Sequence, residues 1–401
     1  MALRYMGTKR HMVQYVHDAI LSSSTRGRVV DLFTGTGTVA ESLVGQRSVV
    51  TNDAFAFIGA ISRARFTGAK HKSTVANVAS RLLPAFQKAT HYFSSYYEEK
   101  LAAEDAALKG NPSDLNAYFS QASHVANSSQ ERKAARAASV ASDINHYQLA
   151  CLYFSSGYFS LSQAIEIDAL RYAIDSDASM LERDWLLSAW ITSVSTILNA
   201  PGHTAQFLKP TSEAAAKRIE RTWTRSLWSE FLRSLGETNQ LGSASWRRLN
   251  EVFVGDALDL VSGGALTDVG VLYADPPYTS DQYSRYYHLF ETLYRYDYPD
   301  AHGAGRVRSD RFTTGFCLKT QVVSCFHDLF RCVSRMQVPV VLSYPSKGLL
   351  HETGTTIQDI AGSYFSSILQ TSVASAHSTM GASKGHSRQQ AEENIYVCEN
   401  R

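Results

Sequence analysis

The sequence is short of several things, and each shortage narrows what the chain can be. Of 401 residues only five are cysteine, Cys151, Cys317, Cys325, Cys332 and Cys398, and no two form a C-x-x-C pair. That spacing argues against a disulfide frame and against a cysteine zinc site, and leaves reduced thiols in a cytosolic protein. No apolar run approaches the roughly 20 residues of a membrane span, so no membrane association is expected. The amino terminus, MALRYMGTKRH, is basic but no apolar stretch follows it. It therefore reads as no signal peptide, and the expected location is cytoplasmic. Neither sign of charge dominates: 39 Lys and Arg stand against 37 Asp and Glu, a net charge of +2. Such a balance does not demand nucleic acid as a partner, but permits it where the charge is unevenly spread. No internal repeat is found.

What is present is the making of a core. Hydrophobic residues are 44% and charged residues 19% of the chain, a globular composition. The length suits two domains, or one domain with a large insertion. In GRVVDLFTGTGTVAESLV, from Gly27, residues Val29, Val30 and Leu32 read as a buried strand. Glycines turn the chain, and a helix is predicted from Val39. SVVTNDAF follows as a short strand ending in Asp53. A β-α-β start predicts a parallel sheet. Residues 71–249 are richer in Ala, Ser, Gln, Lys and Arg, with helical spacing in STVANVASRLLPAF and DWLLSAWITSVSTIL. Loops are expected at GNPSDLN and GETNQLGSAS. Strand patterns then return in EVFVGDALDL, VGVLYADPPY and VPVVLSYPSKG, and HSRQQAEENIYVCEN reads as a polar loop feeding a last strand. The expected architecture is an α/β domain of residues 1–70 and 250–401, interrupted by a mostly helical insertion of residues 71–249.

Two places carry chemistry. Gly35, Gly37 and Ala40 satisfy G-x-G-x-x-A between a strand and a helix, and Asp53 ends the next strand eighteen residues after Gly35. Glycines there let backbone approach a ligand, and the acid can grip ribose hydroxyls. The pattern fits a nucleoside cofactor, a nicotinamide dinucleotide included, and fits a tight turn without a ligand. The second place is VLYADPPY. Pro276 and Pro277 cannot continue a ladder, so the strand stops at Asp275. At the carboxyl edge of a parallel sheet such a side chain faces the ligand crevice. An ordinary strand exit with Asp275 as a cap is the structural alternative.

The order RYMGTK, DLFTGTG, ND, a long insertion and DPPY resembles the Dam-like (D12, alpha class) DNA adenine-N6 methyltransferases. Phe33, Gly35 and Gly37 match that family's F-x-G-x-G. After DPPY, residues Gln282, Tyr283, Tyr287, His288, Leu289 and Glu291 resemble the segment found in some type II and IIS restriction-modification methylases. NAPGHTAQFLKP resembles a further G-H-x-x-x-x-L-K stretch of these enzymes. The resemblance covers both ends of the chain and, between them, only that segment.

The resemblance implies a Rossmann-like methyltransferase sheet with S-adenosylmethionine as cofactor. Asp31 would then lie near the methionine portion, Gly35 and Gly37 would give backbone access, and Asp53 would hold the ribose. Asp256 would face the exocyclic amine of the cofactor adenine. Lys9 and Tyr5, in RYMGTK, would stand near cofactor and target base. A flipped adenine would give one amine hydrogen to Asp275 and one to the Pro276 carbonyl, held rigid by Pro277, with Tyr278 stacked on the ring. Neither a metal nor a covalent nucleophile is called for. The implied partners are double-stranded DNA and a cognate restriction endonuclease encoded separately, a fused one not being expected. The insertion would read the target sequence. Basic stretches in KRIERTWTRSLW, SASWRR and SKGHSRQQ would meet phosphates. An N4-cytosine or an RNA adenine-N6 methyltransferase would use the same geometry. A nicotinamide oxidoreductase would explain the glycine loop alone.

Overall fold

The structure is a computed structural model that describes residues 9–121, 134, 136–137, 143–177, 182–377 and 389–400. The strands among the described residues are β1 (Arg28–Asp31), β2 (Val49–Asp53), β3 (Glu251–Val254), β4 (Val269–Ala274), β5 (Ala301–His302), β6 (Val307–Arg308), β7 (Val340–Pro345), β8 (Ser367–His377) and β9 (Gln389–Glu399). The chain divides into two compact units. One holds Gly7–Ala69, Gln240–Ser284 and Phe312–Arg401; the other holds Met1–Met6, Lys70–Asn239 and Arg285–Arg311. Residues Arg285–Arg311, which follow the DPPY segment, thus group with the helices of the insertion.

The first unit is built on a seven-stranded sheet of order β3-β2-β1-β4-β7-β9-β8. Strands β3, β2, β1, β4 and β7 are parallel; β9 runs antiparallel to β7, and β8 antiparallel to β9. This is the α/β sheet that the β-α-β pattern predicts. Successive side chains along each strand point to opposite faces. Val30, Val50, Leu272 and Leu342 therefore enter one core with Phe326, Leu329 and Phe330 of the helix Val322–Met336. Val29, Val49, Val271 and Val341 enter the other with Val16 and Ile20 of the helix Val13–Ser23. Both faces are covered, which explains why these strands read as continuous apolar runs rather than alternating ones. The chain leaves β1 towards β2 and β3, then returns to place β4 on the other side of β1. That reversal makes the carboxyl ends of β1 and β4 the switch point of the sheet, where α/β folds bind ligands.

The second unit is helical, apart from the β5–β6 hairpin. STVANVASRLLPAF lies in the helix Val75–Tyr96, and DWLLSAWITSVSTIL in Arg183–Ile197. GNPSDLN, expected as a loop, instead opens the helix Pro112–Gln121. Pro112 is its first residue, where proline lacks only an N–H that has no helical partner. Three buried or half-buried carboxylates tie these helices together. Glu104 accepts from Leu161 N and Ser162 N at the start of Leu161–Ser176. Glu166 accepts from Leu227 N at the start of Leu227–Glu237. Asp168 accepts from Ala150 N, Cys151 N and the Tyr296 hydroxyl at the start of Leu149–Phe154. Each satisfies orphan N–H groups at a helix N-terminus.

Within the sheet unit, the start of β4 is packed against a turn. Arg47 donates to the carbonyls of Ser24, Arg26 and Gly27, and Arg28 N donates to Asp268 O at 2.7 Å. A Cβ on Gly270 would stand 1.7 Å from Arg26 O and 2.5 Å from Arg47 Nη2. The backbone oxygen cannot yield as a flexible side chain would. Gly270→Ala should therefore cost about 3 kcal/mol, the top of the usual overpacking range, read as a lowered urea midpoint with an unchanged m-value. A midpoint equal to wild type would show that the β1–β4 base has room.

Candidate active site

The carboxyl edge of the sheet gathers most of the residues singled out from the sequence. The first β-α turn is Phe33 to Gly37. Gly35 and Gly37 have φ of +52° and +76°, a region L side chains rarely adopt. A Cβ on Gly37 would also lie 2.7 Å from the Phe66 ring. Gly37 precedes the helix Thr38–Ser42, which begins at residue 38 rather than 39. Arg65 donates to Thr36 O at 2.7 Å and to Glu41 at 2.6 Å, fixing the turn from the side. Phe33 packs edge-on against Phe316.

Asp53 closes the turn. Its Oδ2 accepts from Gly35 N and its Oδ1 from Phe55 N, both at 3.0 Å. Burial pushes its pKa up to about 6, against the pull of the Phe55, Gly35 and Ala54 N–H groups. Asn52, beside it, is not among the residues singled out from sequence. Its Nδ2 donates to Leu32 O at 3.1 Å and to Gly255 O at 3.2 Å, binding the ends of β1 and β3 to β2. Asp256 accepts from Leu258 N at 2.7 Å and Asp259 N at 3.4 Å. It thereby caps the helix Ala257–Ser262.

Asp31 ends β1 and is 1% exposed, and its Oδ1 has no hydrogen-bond partner among the described residues. Burial, and then the negative charges of Asp275 and Asp53, push its carboxyl well above the usual range, with the Phe33 N–H pulling the other way. Across the switch point, Asp275 follows β4. Lys9 meets its Oδ1 at 2.9 Å and also pairs with Glu393. Burial works against the Lys9 ammonium, but Asp275 and Glu393 outweigh it and hold its pKa above the ordinary value. Burial raises Asp275, Lys9 lowers it, Glu393 raises it again, and the balance lies near 6. Pro276 is buried; Pro277 and Tyr278 are half-buried. Leu349 N donates to Tyr278 O at 2.7 Å, and Gln282 exchanges two 3.0 Å bonds with the Thr314 backbone, so the loop after DPPY is held. Tyr5 lies outside the described residues.

Glu393 escapes the sequence reading, since it lies in the polar first half of the last strand, beside Glu392 and Asn394. Cys317 donates to Asp281 O at 3.2 Å, and burial pushes its thiol up to about 12. Among the described residues, no helix is long and apolar enough to cross a membrane.

The ammonium of Lys9 lowers the Asp275 pKa, so removing it must raise it. Lys9→Met should move the Asp275 carboxyl midpoint upward from about 6, followed by its carboxyl carbon NMR shift. A midpoint that stays or falls would show that the pair does not act on Asp275.

Residues 250–338, from β3 through DPPY towards β7, match the family model for D12 class N6 adenine-specific DNA methyltransferases. The modification methylase LlaI of Lactococcus lactis subsp. lactis is 24% identical over 87% of this chain and 47% of its own length. The type II methyltransferase M.FokI of Planomicrobium okeanokoites is 24% identical over 87% of this chain and 45% of its own. The type II methyltransferase M.NlaIII of Neisseria lactamica is 26% identical over 51% of this chain and 56% of its own. The chain thus spans about half the length of the curated relatives it matches. The family match lies on the strand and loop that carry Asp275, and over residues 250–338 the chain is similar to the D12 class of N6 adenine-specific DNA methyltransferases.

Proposed function

We propose that this chain methylates N6 of an adenine in double-stranded DNA at a specific sequence, using S-adenosylmethionine. The observation that carries the reading is the carboxylate of Asp275 at the sheet's switch point, one oxygen held by Lys9 and the proline pair directly after it. The residues suit the cofactor. The buried Oδ1 of Asp31, without a partner among the described residues, is an acceptor for the cofactor's ammonium. Asp53 stands beside the glycine turn as the acceptor for ribose hydroxyls. When bound, S-adenosylmethionine supplies an electrophilic methyl group on a sulfonium.

The chain's own groups do the rest. The adenine amine is a poor nucleophile because its lone pair is delocalised into the ring. Asp275 Oδ2 accepts one amine hydrogen, and the Pro276 carbonyl accepts the other. Held so, the nitrogen pyramidalises and its lone pair turns out of the ring plane. Asp275 then takes the proton that the amine sheds on forming its new bond. Orientation and fixed acceptors supply several kcal/mol of the barrier reduction. Turning the base out of the duplex costs a few kcal/mol, and stacking on Tyr278 offsets about 1–3 kcal/mol of that. Residues 71–249 read the sequence. A separately encoded endonuclease and a cytoplasmic setting complete the reading.

Of the basic stretches offered for phosphate binding, two of the four cations in the first are paired with carboxylates. Lys217 pairs with Glu213, and Arg225 with Glu230. Arg218 has no carboxylate partner among the described residues, and with Lys209, Gln206 and Ser212 it lines a cavity of about 640 Å³. Of SASWRR, Arg247 is buried and donates to Gly68 O and Gly242 O, leaving Arg248 exposed. SKGHSRQQ lies largely outside the described residues.

The two acids should fail in different ways. Asp275→Ala should lose about 10²–10⁴-fold in turnover, the range for a positioned proton acceptor, with cofactor binding nearly intact. Asp53→Ala should instead weaken cofactor binding by about 1.5–3 kcal/mol. Calorimetry and tritiated-methyl transfer distinguish them; retained transfer in Asp275→Ala would sink the assignment. For the cavity, the double change Lys209→Ala and Arg218→Ala should flatten the slope of log K against log salt by about 0.9 for each phosphate that the pair neutralises. An unchanged slope would remove these residues from the DNA path.

A further inference from the structure

Two carboxylates share one ammonium at the end of β4. Lys9 reaches Asp275 Oδ1 at 2.9 Å and Glu393 Oε1 on its other side. The side chains of Lys9 and Glu393 are 7% and 2% exposed, that of Asp275 18%. The backbone puts Glu393 there: β9 runs antiparallel to β7, with Glu393 opposite Pro345 on one side and Val373 on the other. Ser346 N donates to Glu392 O at 2.9 Å and holds that end of the strand. A lysine stem is long and rotamer-rich, so an ammonium bound at one point only loses much of its aim. Here it is bound at two.

The charges follow from the same pairings. Asp275 and Glu393 bring two negative charges and Lys9 one positive. The other titratable groups acting on Asp275 or its neighbours are Asp31, whose carboxyl burial and the Asp275 charge raise well above its ordinary value, and the phenols of Tyr273 and Tyr278, which burial raises. Tyr273 shares a 3.0 Å hydrogen bond with Ser343. Asp275 Oδ2 takes no hydrogen bond from a described residue, so it is the oxygen left to accept one.

We propose that Glu393 is a positioning residue for methyl transfer: it draws Lys9 onto one oxygen of Asp275, keeps the other oxygen free for the target amine, and leaves these three side chains with a net charge of −1. The inference rests on the methyl-transfer reading of Asp275. Its consequence is electrostatic. The amine nitrogen becomes cationic as its new bond forms, and a trio of net charge −1 favours that state over a neutral lysine–aspartate pair. Without Glu393, Lys9 and Asp275 would neutralise each other, and the ammonium could cover both oxygens.

The test uses the full chain and three variants: Glu393→Gln, Lys9→Met and the two together. Without any ligand, Glu393→Gln should shift the Asp275 carboxyl midpoint downward, because the charge removed is one that raises it. With cofactor and DNA, the same variant should lose about 10²-fold in kcat, the loss that a misplacement of order 1 Å brings. The acid limb of its pH profile should move to lower pH. The double variant should be no slower than Lys9→Met, because Glu393 acts through Lys9. It also leaves no buried lysine half-paired, so it stays interpretable if Glu393→Gln folds poorly. An unmoved midpoint, an unchanged kcat, or losses that simply add in the double variant would each overturn the proposal. If the midpoint moves as stated but the wild-type chain transfers no methyl to DNA, the methyl-transfer reading fails and the catalytic role of Glu393 with it, while the charge cluster stands.

Discussion

A strand whose two faces are both buried can carry chemistry only where it stops. Strands β1, β2, β4 and β7 are of this kind, with apolar side chains on both sides and helices against each face. Their backbone groups are spent on the ladders of the sheet. The acids of β1, β2 and β4 stand at the last residue or the one after it. That constraint places Asp31, Asp53 and Asp275 along one edge, and the reversal of strand order at β1 brings Asp31 and Asp275 to its middle. The glycine turn and the proline pair serve the same end: both let the chain leave a strand sharply, so that the terminal acid is not drawn into a helix or a longer ladder.

Burying acids has a cost, and its sign with pH is fixed. Asp53 and Asp275 have ordinary pKa values of 3.8 and lie near 6 in the folded chain. The folded form thus binds protons more readily than the unfolded chain. Whatever stability the protonated groups contribute is complete below about pH 4 and is lost as pH rises through about 6. Above that, each ionised carboxylate costs on the order of 3 kcal/mol at neutral pH, at about 1.36 kcal/mol per unit. His288 opposes them: burial lowers it to about 4, so its contribution is lost on acidification instead. A fold that keeps such groups at its working edge gives up stability for what they bind, the usual relation between strain and function.

The parts of the site legible in sequence are those written as contiguous words. Strand, glycine turn and helix in GRVVDLFTGTG, and strand, acid and prolines in VLYADPPY, each specify local backbone and side-chain direction together. The parts not legible depend on pairing across the chain. Glu393 matters because β9 returns antiparallel beside β7, and nothing local to EENIYV announces that partner. Strand β8, SILQTSVASAH, has no counterpart among the strands expected from sequence; it is polar and sits at the sheet edge, where the apolar pattern is weak. Asn52 reads as the neighbour of an acid, and is a tie between three strand ends. GNPSDLN reads as a turn by its residues, yet Asn–Pro is equally the opening of a helix, and only packing in the helical unit decides between them.

The two units treat buried acids differently, and the difference separates scaffold from site. In the helical unit Glu104, Glu166 and Asp168 are also raised by burial, Asp168 to about 7. Each accepts two backbone N–H groups at the start of a helix, so its bonds serve to join helices. At the sheet edge, Asp31 keeps an oxygen without a partner among the described residues, and Asp275 shares the Lys9 ammonium with Glu393. Two carboxyl groups, those of Asp275 and Glu393, thus stand with that one ammonium. Such an excess of acid is the electrostatic complement of a ligand that carries positive charge, and of a reaction in which more positive charge appears on the amine.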